Sequence, residues 1–189
     1  MERLLRDGRL RKLLEQGDED LAQECREGGC GLCGGVLHSA KYERKPRGPE
    51  GVEGWDRRHS FCCAEEGCRK RHTPPSLRFL GRRVYVSVVV VLVAAMVHGV
   101  KPRRVERLRQ VLGIDARTLE RWRRWWLKTF VRTGFWKGAK GRFMPPVDEK
   151  RIPLSLVEAF GAQHRGGLVK LLEFLAPITA PGRKGVAAM

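Results

Sequence analysis

Two clusters of cysteines place the strongest constraint on what this chain can fold into. Cys30 and Cys33 form a Cys-x2-Cys pair followed by two glycines, and a second cluster lies within residues 62–68. The surrounding segment, residues 28–80, is rich in Gly and polar side chains and holds few apolar ones. Such a segment needs a staple, and a metal ion that joins the clusters supplies it, because metal-binding free energy becomes folding free energy.

The layout predicts a zinc ribbon, in which two metal-binding turns, or knuckles, each lie at the tip of a hairpin. Strands are expected over residues 36–42 and 57–62, with a loop rich in Gly and Pro at 45–54 between them. Thiolates bind Zn²⁺ tetrahedrally at about 2.3 Å, and a site with four sulfurs leaves no open position for catalysis. We therefore expect one structural Zn²⁺ ion. Its predicted ligands are Cys30, Cys33, Cys63 and Cys68.

The third ligand has two candidates, because Cys62 and Cys63 are adjacent. Cys63 is favoured, since Cys62, two residues after Ser60, alternates to the other face of the strand, and Cys62 remains the alternative. Cys25 and His72 are less favoured ligands. Cys25 is expected instead to be a buried helix residue, and His72 a phosphate-side or surface residue. Six cysteines without an apolar leader indicate metal ligation in a reducing compartment.

Downstream, residues 101–128 have the pattern of two short amphipathic helices joined by a tight turn. Gly113 allows the turn, and Asp115 is placed to cap the second helix by accepting a backbone hydrogen bond. Apolar residues fall on one face of each helix at the spacing i, i+3, i+7. They are Val105, Leu108 and Leu112 in the first helix and Leu119, Trp122 and Trp126 in the second.

The opposite face of the second helix is basic and polar. It carries Arg117, Thr118, Arg121, Arg124 and Lys128. A short Gly-containing turn before a basic helix predicts a helix-turn-helix, whose second helix enters the major groove of DNA. The alternative is a basic helical hairpin that packs on a core. The predicted DNA contacts on the first helix are Lys101, Arg103 and Arg104, with Arg103 on the phosphate backbone.

The charge distribution favours nucleic acid as the partner. The net charge is +17, and residues 101–142 hold fourteen basic and three acidic side chains. A basic block with interspersed Trp and Phe is typical of proteins that bind nucleic acid. A membrane surface is the competing acidic partner, and it is disfavoured because the basic helix has no wide apolar face to insert.

The sequence divides into five parts around these two motifs. Residues 1–27 are expected to form two amphipathic helices, broken at Gly17-Asp18, which pack on the rest of the chain or mediate self-association. The ribbon occupies 28–80 and the DNA-binding unit 81–130. The apolar run 84–97 is expected to be the first of three helices in the DNA-binding unit, before the two helices of the helix-turn-helix. It is too short to span a bilayer, since that needs roughly 20 residues.

The last two parts are a basic segment and a short helical end. Residues 131–150 alternate Gly, basic and aromatic residues without helical periodicity, which indicates a basic aromatic arm or a loop whose aromatics dock on the core. Residues 151–189 are expected to hold helices at 154–160 and 168–175, split by Gly166-Gly167, and a tail. The expected fold is mainly α, with a small β zinc ribbon followed by a three-helix DNA-binding unit.

This order of parts resembles the N-terminal region of bacterial insertion-sequence transposases, which carry a zinc ribbon before a homeodomain-like helix-turn-helix. The residues Phe61-Cys62-Cys63, Cys68-Arg69-Lys70-Arg71 and Thr73-Pro74-Pro75-Ser76 resemble their second knuckle. Thr118-Leu119-Glu120-Arg121-Trp122, with Trp126, resembles their recognition helix. The resemblance covers about residues 28–130. It implies double-stranded DNA as the partner and a bacterial cytoplasmic, nucleoid-associated location.

The chain departs from those transposases after the DNA-binding unit, where they continue into an RNase H-like domain with three metal-binding carboxylates. Only 47 residues follow Arg142, fewer than the roughly 100 that such a domain needs. The acids that follow are expected to be surface charge. They are Asp148, Glu149, Glu158 and Glu173. The only tyrosines, Tyr42 and Tyr85, argue against a tyrosine recombinase.

We therefore expect a non-catalytic, zinc-containing DNA-binding protein that serves as an accessory or regulatory factor of a mobile element. One alternative is the DNA-targeting subunit of a complex whose catalytic recombinase or transposase is a separate chain. Another is an RNA-binding protein, since zinc ribbons and basic arms also hold RNA.

Overall fold

A computed structural model describes residues 7–40, 42–43, 57–80, 91 and 116–180, which form a mainly helical protein with small antiparallel sheets. The strands are β1 (Leu37–Ser39), β2 (Tyr42–Glu43), β3 (Arg57–Arg58), β4 (Phe61–Cys63) and β5 (Arg71–His72). The α-helices are α1 (Gly8–Glu27), α2 (Ala116–Arg124), α3 (Gly134–Ala139), α4 (Leu154–Ala159) and α5 (Arg165–Leu175). Within these residues, no helix has the length and apolar character needed to cross a membrane.

Helix α1 runs without a break from Gly8 to Glu27, so the expected break at Gly17-Asp18 is wrong. The side chain of Asp7 caps α1 by accepting from the backbone N–H of Arg9 and Leu10. At Gly17 a Cβ would collide with the side chain of Leu77. Gly17 therefore stands inside the helix because another chain segment crosses there, and not because the helix ends.

Asp18, the next residue of α1, makes polar contacts with the segment that crosses there, and it is only 2% exposed. Its carboxylate accepts from the Ser76 hydroxyl at 2.8 Å, the Leu77 N–H at 2.6 Å and the Arg78 Nε at 2.8 Å. The expected break at Gly17-Asp18 placed Asp18 at a helix boundary. Its carboxylate instead binds the backbone and side chains of residues 76–78, which follow the ribbon directly.

The ribbon segment forms a three-stranded antiparallel sheet in the order β1-β4-β5, and β2 pairs with β3 in a second, two-stranded sheet. In the register, Leu37 is opposite Cys63 and Phe61 is opposite His72. Strands β1 to β4 fall within or beside the two spans that the sequence predicted, whereas β5 was not predicted. A small core lies on this sheet, and Ala22 of α1 belongs to it.

A larger core lies among the helices. Its fully buried side chains include Leu10, Leu14, Trp126, Phe130, Trp136, Ile152, Leu156, Leu168, Leu171 and Leu172. Helix α1 contributes to both cores, because Leu10 and Leu14 lie in the large one and Ala22 in the small one. The helix therefore connects the ribbon with the rest of the protein.

The second helix of the predicted helix-turn-helix is present as α2. Its apolar face, Leu119 and Trp122, is buried, and Val91 of the apolar run 84–97 is helical and buried in the same core. Beyond Arg124 the helix continues as a π-helical turn over Trp125–Thr129. The predicted first helix and turn, residues 101–115, lie outside the described residues.

Residues 131–150 are folded, where the sequence predicted a segment without periodicity. Thr133 caps α3 by accepting from the N–H of Trp136, whose side chain is fully buried. Phe135 and Phe143 pack against the same core. The aromatics of this segment therefore dock on the core, as in the second of the two interpretations that the sequence allowed.

The two C-terminal helices were predicted, but their boundary was not. Gly166 and Gly167 were expected to separate them and instead lie in the first turn of α5. A Cβ at Gly167 would overlap the carbonyl oxygens of Phe160 and Gly161, which begin the turn after α4. The absence of a side chain at Gly167 lets α5 start in contact with that turn.

The contacts of the Asp18 carboxylate with residues 76–78 predict a large loss of stability for Asp18→Ala. The change leaves the Arg78 guanidinium buried without its carboxylate, which typically costs about 3–5 kcal/mol. Asp20→Ala is the matched control, because Asp20 is an exposed acid on the same helix, and its effect should stay within about 0.5 kcal/mol. Urea unfolding followed by circular dichroism measures both. Equal effects would contradict the assigned role of Asp18.

The two adjacent glycines of α5 are predicted to respond oppositely to alanine. Gly167→Ala should destabilise the protein by about 1–3 kcal/mol, because the added methyl group overlaps backbone. Gly166→Ala meets no atom within 4 Å and should raise stability by about 0.5–1 kcal/mol through helix propensity. Midpoints of thermal unfolding would decide. A stabilised Gly167→Ala variant would show that α5 does not contact the turn before it.

Candidate metal centre and nucleic-acid interface

Four cysteine sulfurs meet at one end of the three-stranded sheet. They belong to Cys30, Cys33, Cys63 and Cys68, and all lie within 4.8 Å of one another. The sulfur of Cys33 is 3.5 Å from that of Cys63, and the sulfur of Cys30 is 3.6 Å from that of Cys68. These are the four residues that the sequence predicted as ligands, and a group with this donor set and spacing could hold a metal ion.

The first knuckle, between α1 and β1, is shaped by glycines. Gly29 has a φ of +65°, in the left-handed region that favours glycine. The Cys30 N–H then donates to the Gly35 carbonyl at 2.9 Å, and the Gly34 N–H donates to the Cys30 carbonyl at 2.7 Å. A Cβ on Gly35 would lie 3.2 Å from one cysteine sulfur and 3.3 Å from another. Glycine at that position therefore leaves room for the sulfurs to converge.

The second knuckle closes with four residues between its cysteines, where two are usual. The N–H groups of Cys68 and Arg69 both donate to the Glu65 carbonyl at 3.0 Å, and Arg69 takes a positive φ of 44°. The Cys63 N–H donates to the Lys70 carbonyl at 2.9 Å, which returns the chain to the end of β4. The longer spacer is thus folded into a tight turn that brings both sulfurs together.

The pKa values of the thiols shift in opposite directions. Backbone N–H groups of Leu32 and Cys33 lower the pKa of Cys30 to about 6, against the opposing effect of burial. Burial raises the pKa of Cys63 to about 12. The Lys70 N–H lowers the pKa of Cys68, but burial and the sulfurs of Cys33 and Cys30 outweigh it, so this pKa is raised. Four thiolates this close together repel one another, and a divalent cation would offset that repulsion.

Cys62 and Cys25 stand apart from the four-sulfur group. The alternation of β4 directs Cys62 away from the metal site, and its thiol donates to the Arg69 carbonyl at 3.5 Å. Cys25, on α1, packs against the small core. The preference for Cys63 over Cys62 therefore agrees with the geometry.

His72 is the residue near this site that sequence analysis misplaced, since it was expected on the surface. It is half-buried, and its Nε2 lies 3.2 Å from the Cys30 sulfur. The missing signal was β5, because only the pairing of His72 with Phe61 brings the ring back to the first knuckle. A two-residue strand has too little pattern to be recognised in a sequence.

Helix α2 presents its basic residues to solvent. Arg117, Arg121, Arg124 and Lys128 are exposed and Thr118 is half-buried, with Arg123 as a further exposed cation that the sequence analysis did not assign to DNA. Arg124 pairs with Glu120 at 3.2 Å, and both side chains are about 70% exposed. Such a pair is worth about 0.3–0.5 kcal/mol, so a phosphate can replace Glu120 as the partner of Arg124.

The basic surface extends beyond α2. Residues 116–142 hold nine basic side chains and a single acidic one, Glu120. Arg132, Lys137 and Arg142 are exposed, whereas Lys140 pairs with Glu149 at 3.0 Å. The other predicted DNA contacts, Lys101, Arg103 and Arg104, lie outside the described residues.

Comparison with protein-family models, with curated proteins and with solved structures found no match to this chain. The four-sulfur site and the basic helix are therefore the features of this chain that indicate its function.

The geometry predicts which cysteine substitutions abolish metal binding. Purified protein should contain about one zinc per chain, because four thiolates complete one tetrahedral shell. Cys63→Ser should lose the metal, whereas Cys62→Ser, the adjacent control, should keep it. Metal analysis by plasma mass spectrometry tests both variants. Folded wild-type protein without metal, or the reverse pattern in the variants, would contradict the assignment.

Proposed function

We propose that this protein is a non-catalytic zinc-containing protein that binds double-stranded DNA. The observation that carries the proposal is the two-sided character of α2. One side is anchored by Leu119 and Trp122 in the large core, and the other exposes arginines to solvent. A rigidly mounted, exposed row of guanidinium groups suits both phosphates and the edges of guanine bases.

The polar and basic residues of this helix divide into two expected roles. The N-terminal part of a recognition helix approaches base edges, and Arg117, Thr118, Arg121 and Arg124 are assigned to base contacts. Lys128, one turn beyond Arg124, is assigned to phosphates. Their exposure and their position on one helix, opposite the buried tryptophans, support these roles.

Zinc is proposed as the metal because the donor set is four cysteine sulfurs. Soft thiolate ligands in a tetrahedral group favour Zn²⁺ over hard cations such as Mg²⁺ or Ca²⁺. Four protein ligands leave no position for a reacting water, so the role of the metal is structural. It would close the ribbon, whose own core is small.

For the biological setting we propose an accessory or regulatory factor of a mobile element, associated with the bacterial nucleoid. The ground is the transposase-like order of a cysteine ribbon before a basic helix. Cooperation with a separately encoded recombinase or transposase is the alternative within the same setting, and it assigns the same DNA-binding role to this chain.

The proposal predicts distinct effects for three basic residues on duplex binding. A preferred duplex would first be selected from a random pool. Arg121→Ala should then cost about 1–3 kcal/mol on that duplex and relax its specificity. Lys128→Ala should weaken binding to all duplexes alike. It should also lower the slope of log affinity against log salt concentration by about one. Arg9→Ala, an exposed arginine on α1, is the control and should change nothing.

Fluorescence anisotropy at several salt concentrations measures all three variants against the selected and a scrambled duplex. Equal affinity losses for Arg121→Ala and Arg9→Ala would remove α2 from the interface. A structured RNA that outcompetes the selected duplex at equal salt would replace DNA by RNA as the partner.

A further inference from the structure

Strand β5 brings one side chain from the second knuckle to the first. The chain leaves Cys68, turns at Arg69 and pairs antiparallel with β4, so that His72 lies opposite Phe61. The ring of His72 then reaches the other knuckle, where its Nε2 is 3.2 Å from the Cys30 sulfur. One imidazole thus links two parts of the site that are 42 residues apart in sequence.

The backbone fixes the position of this ring. The Ser60 hydroxyl donates to the His72 carbonyl at 3.5 Å, next to the pairing of Phe61 with His72. Just before β5, the Lys70 carbonyl accepts from the Cys63 N–H at 2.9 Å. The histidine is therefore held by the same hydrogen bonds that position the cysteines of the second knuckle.

The charge of a metal-bound four-thiolate site explains why a donor is needed at this place. Four thiolates carry four negative charges, and one divalent cation neutralises only two of them. Hydrogen-bond donors to the sulfurs spread the remaining charge and orient the ligands. Cys30 receives backbone N–H groups from Leu32 and Cys33, and His72 is the side chain that approaches the same sulfur.

We propose that His72 donates a hydrogen bond from Nε2 to the Cys30 thiolate and thereby holds the metal in the ribbon. His72 is a positioning residue and not a ligand, because the four sulfurs already form a complete tetrahedral set. This inference rests on the proposed zinc site and adds to it the residue that sets how tightly zinc is retained. The imidazole carries its hydrogen on Nε2, facing the sulfur.

Three substitutions of His72 separate hydrogen bonding from packing. His72→Ala removes the donor. His72→Gln places an amide nitrogen near the position of Nε2, whereas His72→Asn places one near the position of Nδ1, too short to reach the sulfur. His38→Ala is the control, since His38 is an exposed histidine of the same sheet.

The measurement is zinc transfer from the loaded full-length protein to the chromophoric chelator 4-(2-pyridylazo)resorcinol, followed as both a rate and an equilibrium. Cys33 is exposed and lines an open depression beside the knuckles, so the chelator can reach the site. His72→Ala and His72→Asn should hold zinc about 10- to 100-fold more weakly. His72→Gln and His38→Ala should release zinc as the wild-type protein does.

X-ray absorption spectroscopy of the zinc-loaded protein completes the test and should count four sulfur neighbours. Three sulfurs and one nitrogen would make His72 a ligand and overturn the proposal. Equal zinc loss from His72→Gln and His72→Ala would also overturn it, because packing would then explain both. Wild-type protein that binds no zinc would overturn the zinc site itself, whereas equal retention by wild type and His72→Ala would overturn only the role of His72.

Discussion

The arrangement of this protein depends on the hydrogen bonds and the ion pair made by the buried carboxylate of Asp18. It lies midway along α1, and the strap that leaves the ribbon, residues 76–78, wraps around it through backbone and side-chain donors. A buried carboxylate without donors would be prohibitively unfavourable, so the strap has a single low-energy position on the helix. Because Leu10 and Leu14 before this point lie in the large core and Ala22 after it lies in the small one, the carboxylate fixes the ribbon relative to the helices.

A second set of contacts closes the same junction from the C-terminal side. Thr179, near the end of the described chain, accepts from the Ser76 N–H through its hydroxyl at 2.7 Å. Its carbonyl accepts from the guanidinium of Arg58 in β3 at 2.8 Å. The first residues after α5 therefore bind both the strap and the ribbon. A ribbon of two- and three-residue strands has little stability of its own, and these contacts with the helical part would add to the stability that a bound metal supplies.

Sequence analysis could predict the parts of this fold that local pattern determines. The convergence of the four cysteines follows from their paired spacing, and the buried face of α2 follows from helical periodicity at Leu119 and Trp122. It could not predict residues whose role depends on a distant segment. Gly17 and Asp18 are typical of a helix break when only their neighbours are considered, yet they serve the crossing of the strap. His72 likewise acquires its contact only through strand pairing.

The division into two cores has a consequence for how the proposed metal binding and the proposed DNA binding are related. The tryptophans behind α2 belong to the large core, which contains none of the four sulfur ligands. The basic face of α2 is therefore supported by packing that does not include the metal site. Among the described residues, α1, the strap held by Asp18 and the contacts of Thr179 connect the ribbon with the helices, so an influence of the four-cysteine site on that face can pass through them. A metal bound there would contribute to the shape of the proposed interface through the placement of the ribbon, while the helix that carries the arginines is held in place by aromatic packing.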